Sequence, residues 1–231
     1  MLVFIINFEV LSEKQKNMDM VLIHGMGRTP LSMLLLRYRL HKQGHRAILF
    51  GYSPTFESMH GVTQRLVQLI QTKMDHTNYA LVGHSLGSVI VRNALPQLGI
   101  QQPSICFFLT PPMVACRAAK FFSGFWIYRC ITGEMGHLLA QEKFMSQLAM
   151  PSRTKIYAGT AGPRIAWLPL GMALNDGILL LEEASAANVG NAANAANAAN
   201  AASAEVVNVP ATHTFIMNSK VVLNDIVRTL Q

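Results

Sequence analysis

The chain has 231 residues, of which 51% are hydrophobic and 13% charged. Soluble domains carry about 25% charged residues, so this chain has ample apolar surface to bury and is not intrinsically disordered. Its length suits one α/β domain, and its longest apolar runs, such as Met1–Phe8, fall short of the roughly 20 residues that span a bilayer. Residues 1–17 read as an N-terminal extension: Met1–Leu11 is apolar but lacks the positive n-region and cleavage site of a signal peptide. The domain proper is expected over 18–231. Continuous apolar runs at Met20–His24, Ala47–Phe50, Tyr79–Val82, Ile105–Leu109 and Lys155–Ala158 suit strands buried on both faces, as in a parallel sheet. Helix-period segments lie between them: Leu31–His41 after Pro30, Met59–Met74 with Val62, Leu66, Ile70 and Met74 on one face, and Ser88–Leu98. This alternation predicts a doubly wound, mostly parallel α/β sheet with helices on both faces.

Two segments break the rhythm. Residues 114–150 are too long for a simple crossover and carry Phe121, Phe122, Phe125, Trp126, Ile127 and Tyr128. They read either as a pair of buried helices or as a small helical cap over a binding site. Residues 188–203 repeat Asn-Ala-Ala from Asn191 to Asn200, a three-residue period that does not match a helix, and read as an exposed low-complexity loop. A last strand is expected at Glu205–Val209, with a C-terminal helix after it.

Charge and cysteines narrow the partners. Lys and Arg number 19 against 12 Asp and Glu, a net +7 that favours anionic surfaces without naming one. The basic residues are scattered, with one loose group at Arg37, Arg39, Lys42 and Arg46 that reads as a solvated helix face, so no nucleic-acid partner is expected. Cys106, Cys116 and Cys130 form no CxxC pair and read as reduced core thiols, so no metal is expected and a cytoplasmic location is.

Chemistry concentrates at Gly83-His84-Ser85-Leu86-Gly87, a G-x-S-x-G between a predicted strand and a predicted helix, the context that a nucleophile elbow needs. A serine at such a sharp turn has its Oγ lifted above the sheet edge, and side chains two residues before or after would collide with the neighbouring helix or strand. A serine hydroxyl needs a base. Of the two histidines that follow Ser85, His137 falls within the presumed cap. His213 lies on a loop after the last strand, where a base can reach the elbow. The acids between Ser85 and His213 are Glu134, Glu142, Asp176, Glu182, Glu183 and Glu205. Glu134 and Glu142 fall in the cap, Glu182 and Glu183 read as a solvated pair, and Glu205 opens the last strand. Asp176, in the turn signature Asn175-Asp176-Gly177, is the candidate to orient His213. The backbone N–H groups of Met26, in His24-Gly25-Met26-Gly27, and of Leu86 are the candidate oxyanion donors.

Together Val21-Leu22-Ile23-His24-Gly25-Met26-Gly27-Arg28-Thr29-Pro30, Gly83-His84-Ser85-Leu86-Gly87, Asn175-Asp176-Gly177 and Thr212-His213-Thr214-Phe215 resemble the small bacterial lipase-like α/β-hydrolases, which are related to triacylglycerol lipases and to GPI inositol-deacylases. The resemblance covers about Met18 to Leu230. It implies an α/β-hydrolase fold and a serine carboxyl-ester hydrolase without metal or organic cofactor. By motif match Ser85 is then the nucleophile, Asp176 the acid and His213 the base, with Met26 and Leu86 as oxyanion donors. One departure stands at Leu109-Thr110-Pro111-Pro112, where relatives often read Leu-Gly-Thr-Pro. The expected substrate is a small-molecule ester or lipid. The same residues would serve an acyltransferase or thioesterase, and a non-catalytic ligand-binding homologue is the third reading. The aromatic cluster 121–128, flanked by Arg117, Lys120 and Arg129, suggests peripheral contact with an anionic membrane.

Overall fold

A computed structural model describes residues 17–74, 78–124, 126–167, 170–185, 199–200 and 203–231. Six strands form one sheet: β1 (Asp19–Ile23), β2 (Arg46–Phe50), β3 (Tyr79–His84), β4 (Ile105–Leu109), β5 (Thr154–Gly159) and β6 (Glu205–Val209). Their order is β2-β1-β3-β4-β5-β6 and every pairing is parallel. The fold is thus α/β and doubly wound, wholly parallel where a mostly parallel sheet was expected. Side chains alternate between the two faces, as the two-residue period of a strand requires. Val21, Ile23, Leu81, Cys106, Phe108 and Ile156 enter one core; Met20, Leu22, Val82, Phe107, Leu109 and Tyr157 enter the other. With both faces covered, β1, β3, β4 and β5 carry largely apolar runs, while the edge strands β2 and β6 are partly exposed.

The second core is closed by α1 (Leu34–Lys42), entered through a 3-10 turn at Pro30–Met33, and by the C-terminal helix at Lys220–Leu230. The first is closed by α2 (Met59–Lys73) and α3 (Leu86–Ala94). Ser58 Oγ caps α2 by accepting from Gly61 N at 3.1 Å. Met59, Val62, Thr63, Leu66, Val67 and Ile70 form its buried stripe at helical spacing. The third helix begins at Leu86, two residues before the expected Ser88, and its α-helical part ends at Ala94 because Pro96 lacks the N–H that would continue the ladder.

Between β4 and β5 the chain forms three helices: α4 (Arg117–Phe122), α5 (Trp126–Leu138) and α6 (Glu142–Gln147). A pair of buried helices does not describe them. The fifth helix breaks at Gly133, whose φ is 56°, and Phe121, Phe122 and Trp126 are exposed. Phe125 and the side chains of Ile127 and Tyr128 lie outside the described residues. Buried Arg92 on α3 ties both ends of this excursion to the sheet. Its guanidinium donates to Met113 O at 3.3 Å, Leu148 O at 3.3 Å and Ala149 O at 3.1 Å. Burial without a carboxylate lowers its pKa to about 10.

A short helix, α7 (Leu181–Ala184), follows β5, and α8 (Lys220–Leu230) ends the chain. The N-terminal extension lies outside the described residues apart from Asn17. So does the Asn-Ala-Ala loop apart from Ala199, Asn200 and Ser203; the Nδ2 of Asn200 donates to Met150 O at 2.9 Å. Two expectations need correction. Cys106 and Cys116 are buried free thiols, but Cys130 is exposed on the fifth helix, not in a core. Glu183 is buried, not half of a solvated pair. Its Oε1 accepts from Arg117 N at 2.6 Å and its Oε2 from Leu180 N at 2.9 Å, so one carboxylate serves the starts of both the fourth and seventh helices. No helix among the described residues is long and apolar enough to cross a membrane.

Candidate active site

The strand order reverses between β1 and β3, and the loops at their carboxyl ends flank the crevice where open α/β sheets bind ligands. The parallel register sets Ile23 beside Gly83, which brings the Gly25–Met26 loop next to Ser85. Ser85 links β3 to α3 with φ 49° and ψ −118°, a strained conformation for a residue with a side chain. Its N–H donates to Leu109 O at 3.0 Å and its carbonyl accepts from Ser88 N at 2.9 Å, so both sides of the turn are tied. The glycines around it are sterically required. A Cβ on Gly83 would sit 2.6 Å from Ser88 N, and one on Gly87 would run into Ile23 O and lie 2.7 Å from His24 O. Leu86 opens the third helix, where the first N–H groups have no intrahelical acceptor and a developing anion is favoured.

His24 fixes the facing loop. It is buried and stacks on Tyr52 with ring centroids 4.3 Å apart. Its Nε2 accepts from Tyr52 N at 3.4 Å, so Nδ1 carries the hydrogen that Gly25 O accepts at 2.9 Å. Tyr52 Oη donates to His24 O at 2.8 Å. Burial holds the His24 pKa below the ordinary histidine value. Met26 follows this anchor and lines the cavity described below.

Asp176 and His213 come from loops beyond β5 and β6. His213 Nδ1 donates to Asp176 Oδ2 at 2.7 Å, which leaves Nε2 as the ring's acceptor. The carboxylate is 2% exposed and its other oxygen, Oδ1, accepts from Ile178 N at 2.9 Å and Leu179 N at 2.7 Å. The two backbones are joined directly as well, His213 N donating to Asp176 O at 2.8 Å. Asn175 does as much as its neighbour to shape the turn: its Nδ2 donates to Pro163 O and Ala173 O, each at 2.9 Å, and its Oδ1 accepts from Gly177 N at 2.8 Å. His84 secures His213 from the other side. Its Nε2 donates to His213 O at 2.9 Å, while its buried Nδ1 has no partner among the described residues. Burial and the neighbouring His213 push the His84 pKa down to about 3. The other acids in the interval lie elsewhere. Glu134 accepts from Met59 N at 3.2 Å, Glu142 pairs with Lys120 at 2.6 Å, and Glu205 pairs with Lys155 at 3.0 Å.

Ser85, His84, His213 and Met26 line one cavity of about 540 Å³, a size suited to a small organic ligand. Its walls are mainly apolar, with Ala118, Ala119, Phe122 and Leu139 from the helical excursion and Leu170, Ile178 and Leu179 from the Asp176 loop. Arg28 and Cys116 also line it, where the sequence offers Arg28 only as part of a motif and Cys116 only as a core thiol. Asn175 was read only as part of a turn signature. No group of side chains suited to a metal ion occurs among the described residues.

Residues 13–125 match the family model described as "Putative serine esterase (DUF676)", a span that includes Met26, Ser85 and Leu86. No curated protein matches the chain. Among solved structures, the ydeN gene product of B. subtilis is similar with a TM-score of 0.59 at 14% identity, covering 93% of this chain and 98% of that one. A pyrethroid hydrolase from Sphingobium faniae JZ-2 matches with a TM-score of 0.56 at 12% identity over 93% and 98%. The RedJ thioesterase of the prodiginine pathway in Streptomyces coelicolor matches with a TM-score of 0.55 at 14% identity over 92% and 84%. At these identities the likeness is one of fold.

Proposed function

We propose that this chain is a lipase-like α/β-hydrolase, a serine carboxyl-ester hydrolase working through an acyl-enzyme on Ser85. One observation carries the reading: the strained elbow serine faces the same cavity as a histidine whose Nδ1 is held by a buried carboxylate. Ser85 Oγ attacks the ester carbonyl and its proton passes to His213 Nε2. The N–H groups of Met26 and Leu86 receive the oxyanion. As the tetrahedral intermediate collapses the ester C–O bond breaks, and His213 returns the proton to the departing alcohol. Water then attacks the acyl-enzyme, again deprotonated by His213, and releases the acid with Ser85 restored. Asp176 keeps His213 in the tautomer that leaves Nε2 free and stabilises the imidazolium formed in each half-reaction.

The apolar cavity suits the acyl chain of a small-molecule ester or lipid. The family description and the hydrolase neighbours support this class, and the thioesterase among them favours, as a second reading, a thioester or an acceptor other than water. A chain-length panel of 4-nitrophenyl esters, with Ser85→Ala as control, tests the proposal. Turnover should fall by at least about 10³-fold in the variant, and equal rates in both proteins would sink it. Labelling of Ser85 by a fluorophosphonate separates the enzyme from a binding homologue. Exposed Phe121, Phe122 and Trp126 favour peripheral contact with an anionic membrane. Co-sedimentation with anionic vesicles that Trp126→Ala leaves unchanged would remove that contact.

A further inference from the structure

Arg28 is the Lys or Arg that, among the described residues, lines the cavity of Ser85. Arg46, Arg65, Lys120, Lys155 and Arg228 each pair with a carboxylate. Arg92 is buried and satisfied by three carbonyls. Arg28 is half-buried, lines the cavity that holds Ser85 and His213, and pairs with no carboxylate among the described residues. Among the described residues it makes one hydrogen bond, from Nη2 to Thr214 O at 3.3 Å. A guanidinium has five N–H donors, so most of its capacity is left over. Among the described residues neither Asp nor Glu lines the cavity, and the buried carboxylates behind its wall are already committed, Asp176 to His213, Ile178 and Leu179 and Glu183 to Arg117 N and Leu180 N. The result is one uncompensated positive charge against an otherwise mainly apolar wall, where partial exclusion of water strengthens its pull on an anion.

The position of Arg28 says which part of a substrate it meets. It follows Met26 by two residues and is bound to the carbonyl next to His213, so it bridges the oxyanion loop and the base loop. The base must hand its proton to the leaving oxygen, so the alcohol half of the ester departs on the side of His213. The apolar wall from Ala118, Ala119, Phe122 and Leu139 is left to the acyl chain.

We infer that Arg28 is a specificity-determining residue that binds an anionic group, a carboxylate or a phosphate, on the alcohol half of the ester, so that the preferred substrate is an anionic amphiphile. This inference rests on the proposed ester hydrolysis. A guanidinium takes either anion through two parallel N–H···O bonds, and geometry as well as charge then fixes the alcohol half while the acyl chain sits in the apolar part of the cavity.

The test compares esters that share an acyl chain. One arm sets 4-nitrophenyl butyrate against 3-carboxy-4-nitrophenyl butyrate, whose leaving phenols differ mainly by the carboxylate. The other sets 1-butyrylglycerol against its 3-phosphate. The readout is the ratio of kcat/KM, anionic over neutral, measured within each protein so that a general loss of activity cancels. Wild type should favour the anionic ester by about tenfold in at least one arm. That ratio should collapse in Arg28→Gln and fall further in Arg28→Glu, and the arm that responds identifies the anion. If Arg28→Gln does not fold, the wild-type ratio should still decline as NaCl is raised from 20 to 500 mM, because screening weakens a half-buried pair. Equal ratios in wild type and Arg28→Gln, or a wild-type ratio near one in both arms, would overturn the inference while leaving ester hydrolysis intact. Absence of any Ser85-dependent turnover of all four esters would instead overturn the ester reading, and the inference with it.

Discussion

Ser85 and His213 face one cavity but are held there by different means. Around Ser85 the restraint is steric and comes from the sheet: parallel β1 and β3 lie in fixed register, and neither Gly83 nor Gly87 has room for a Cβ against the backbone opposite. Around His213 the restraint is a web of hydrogen bonds between loops. Asp176 accepts four of them through its carboxylate and carbonyl, Asn175 makes three through its side chain, and His84 adds one from behind. Steric restraint fails by unfolding, because nothing can move aside. Hydrogen-bonded restraint fails by loss of orientation, with the fold intact.

Asp176→Asn and Gly87→Ala break this comparison most directly. An amide at 176 keeps the turn bonds through its oxygen but places an NH₂ against His213 Nδ1, which favours the tautomer with the hydrogen on Nε2. Turnover should drop by about 10³- to 10⁴-fold, with the far-UV circular dichroism unchanged. Gly87→Ala should do the opposite. Its methyl is driven into Ile23 O and His24 O, a backbone clash that should cost at least about 3 kcal/mol in urea denaturation or prevent folding altogether. A folded, stable Gly87→Ala protein would show that the elbow is softer than the sheet around it.

The same division explains what could be read from the sequence. All six strands are legible: β1, β3, β4 and β5 as the largely apolar runs that burial on both faces leaves, and the partly exposed edge strands β2 and β6 as short apolar and β-branched runs. The elbow is legible because its steric needs are met by glycines at fixed spacing. The order Ser85, Asp176, His213 also narrows the loop half to a short choice, and the structure places Asp176 against His213. The supports of that half are hidden. Glu183 looks solvated beside Glu182, and only the fold shows that Arg117 N and Leu180 N both require its carboxylate. The bond from His84 to His213 O spans 129 positions, and Arg92 meets carbonyls up to 57 positions away, distances at which no local pattern exists.

His84 also sets a pH dependence. Its folded pKa, about 3, lies below the ordinary value of 6.5, so between those limits the unfolded chain binds more protons. Stability is therefore complete above about pH 6.5 and falls as the pH drops toward 3. The contribution lost by pH 5 is about 2 kcal/mol. His24 and His45 are lowered in the same direction and add to the slope. His84→Gln, which keeps a donor for His213 O but does not titrate, should have the shallower acid arm in urea melts between pH 7 and pH 5. Parallel arms for the two proteins would place the acid sensitivity elsewhere.

A smaller effect of opposite sign should come from Thr110, one strand over from the elbow. Ser85 and Thr110 are the two non-glycine residues with positive φ among those described, at 49° and 44°, and they end neighbouring strands. At Ser85 the strain lifts a hydroxyl into the cavity. At Thr110 the residue is β-branched and fully buried, and its Oγ1 has no partner among the described residues. Strain of about 1–3 kcal/mol and an unpaired buried hydroxyl of about 1–3 kcal/mol both oppose the native state. Thr110→Gly removes both, at the expense of about 0.5–1 kcal/mol in backbone entropy and a similar amount of lost methyl contact. Taken at the low end of each range, the balance favours glycine by about 1 kcal/mol, which should raise Tm by roughly 2–4 °C in a chain of this size. Positive φ would then be a cost without a use at β4 and a cost tied to the proposed nucleophile after β3. A destabilised Thr110→Gly protein would reverse that assignment and make the threonine a support of the Asp176 loop, since its Cγ2 already packs toward Gly159, where that loop meets the sheet.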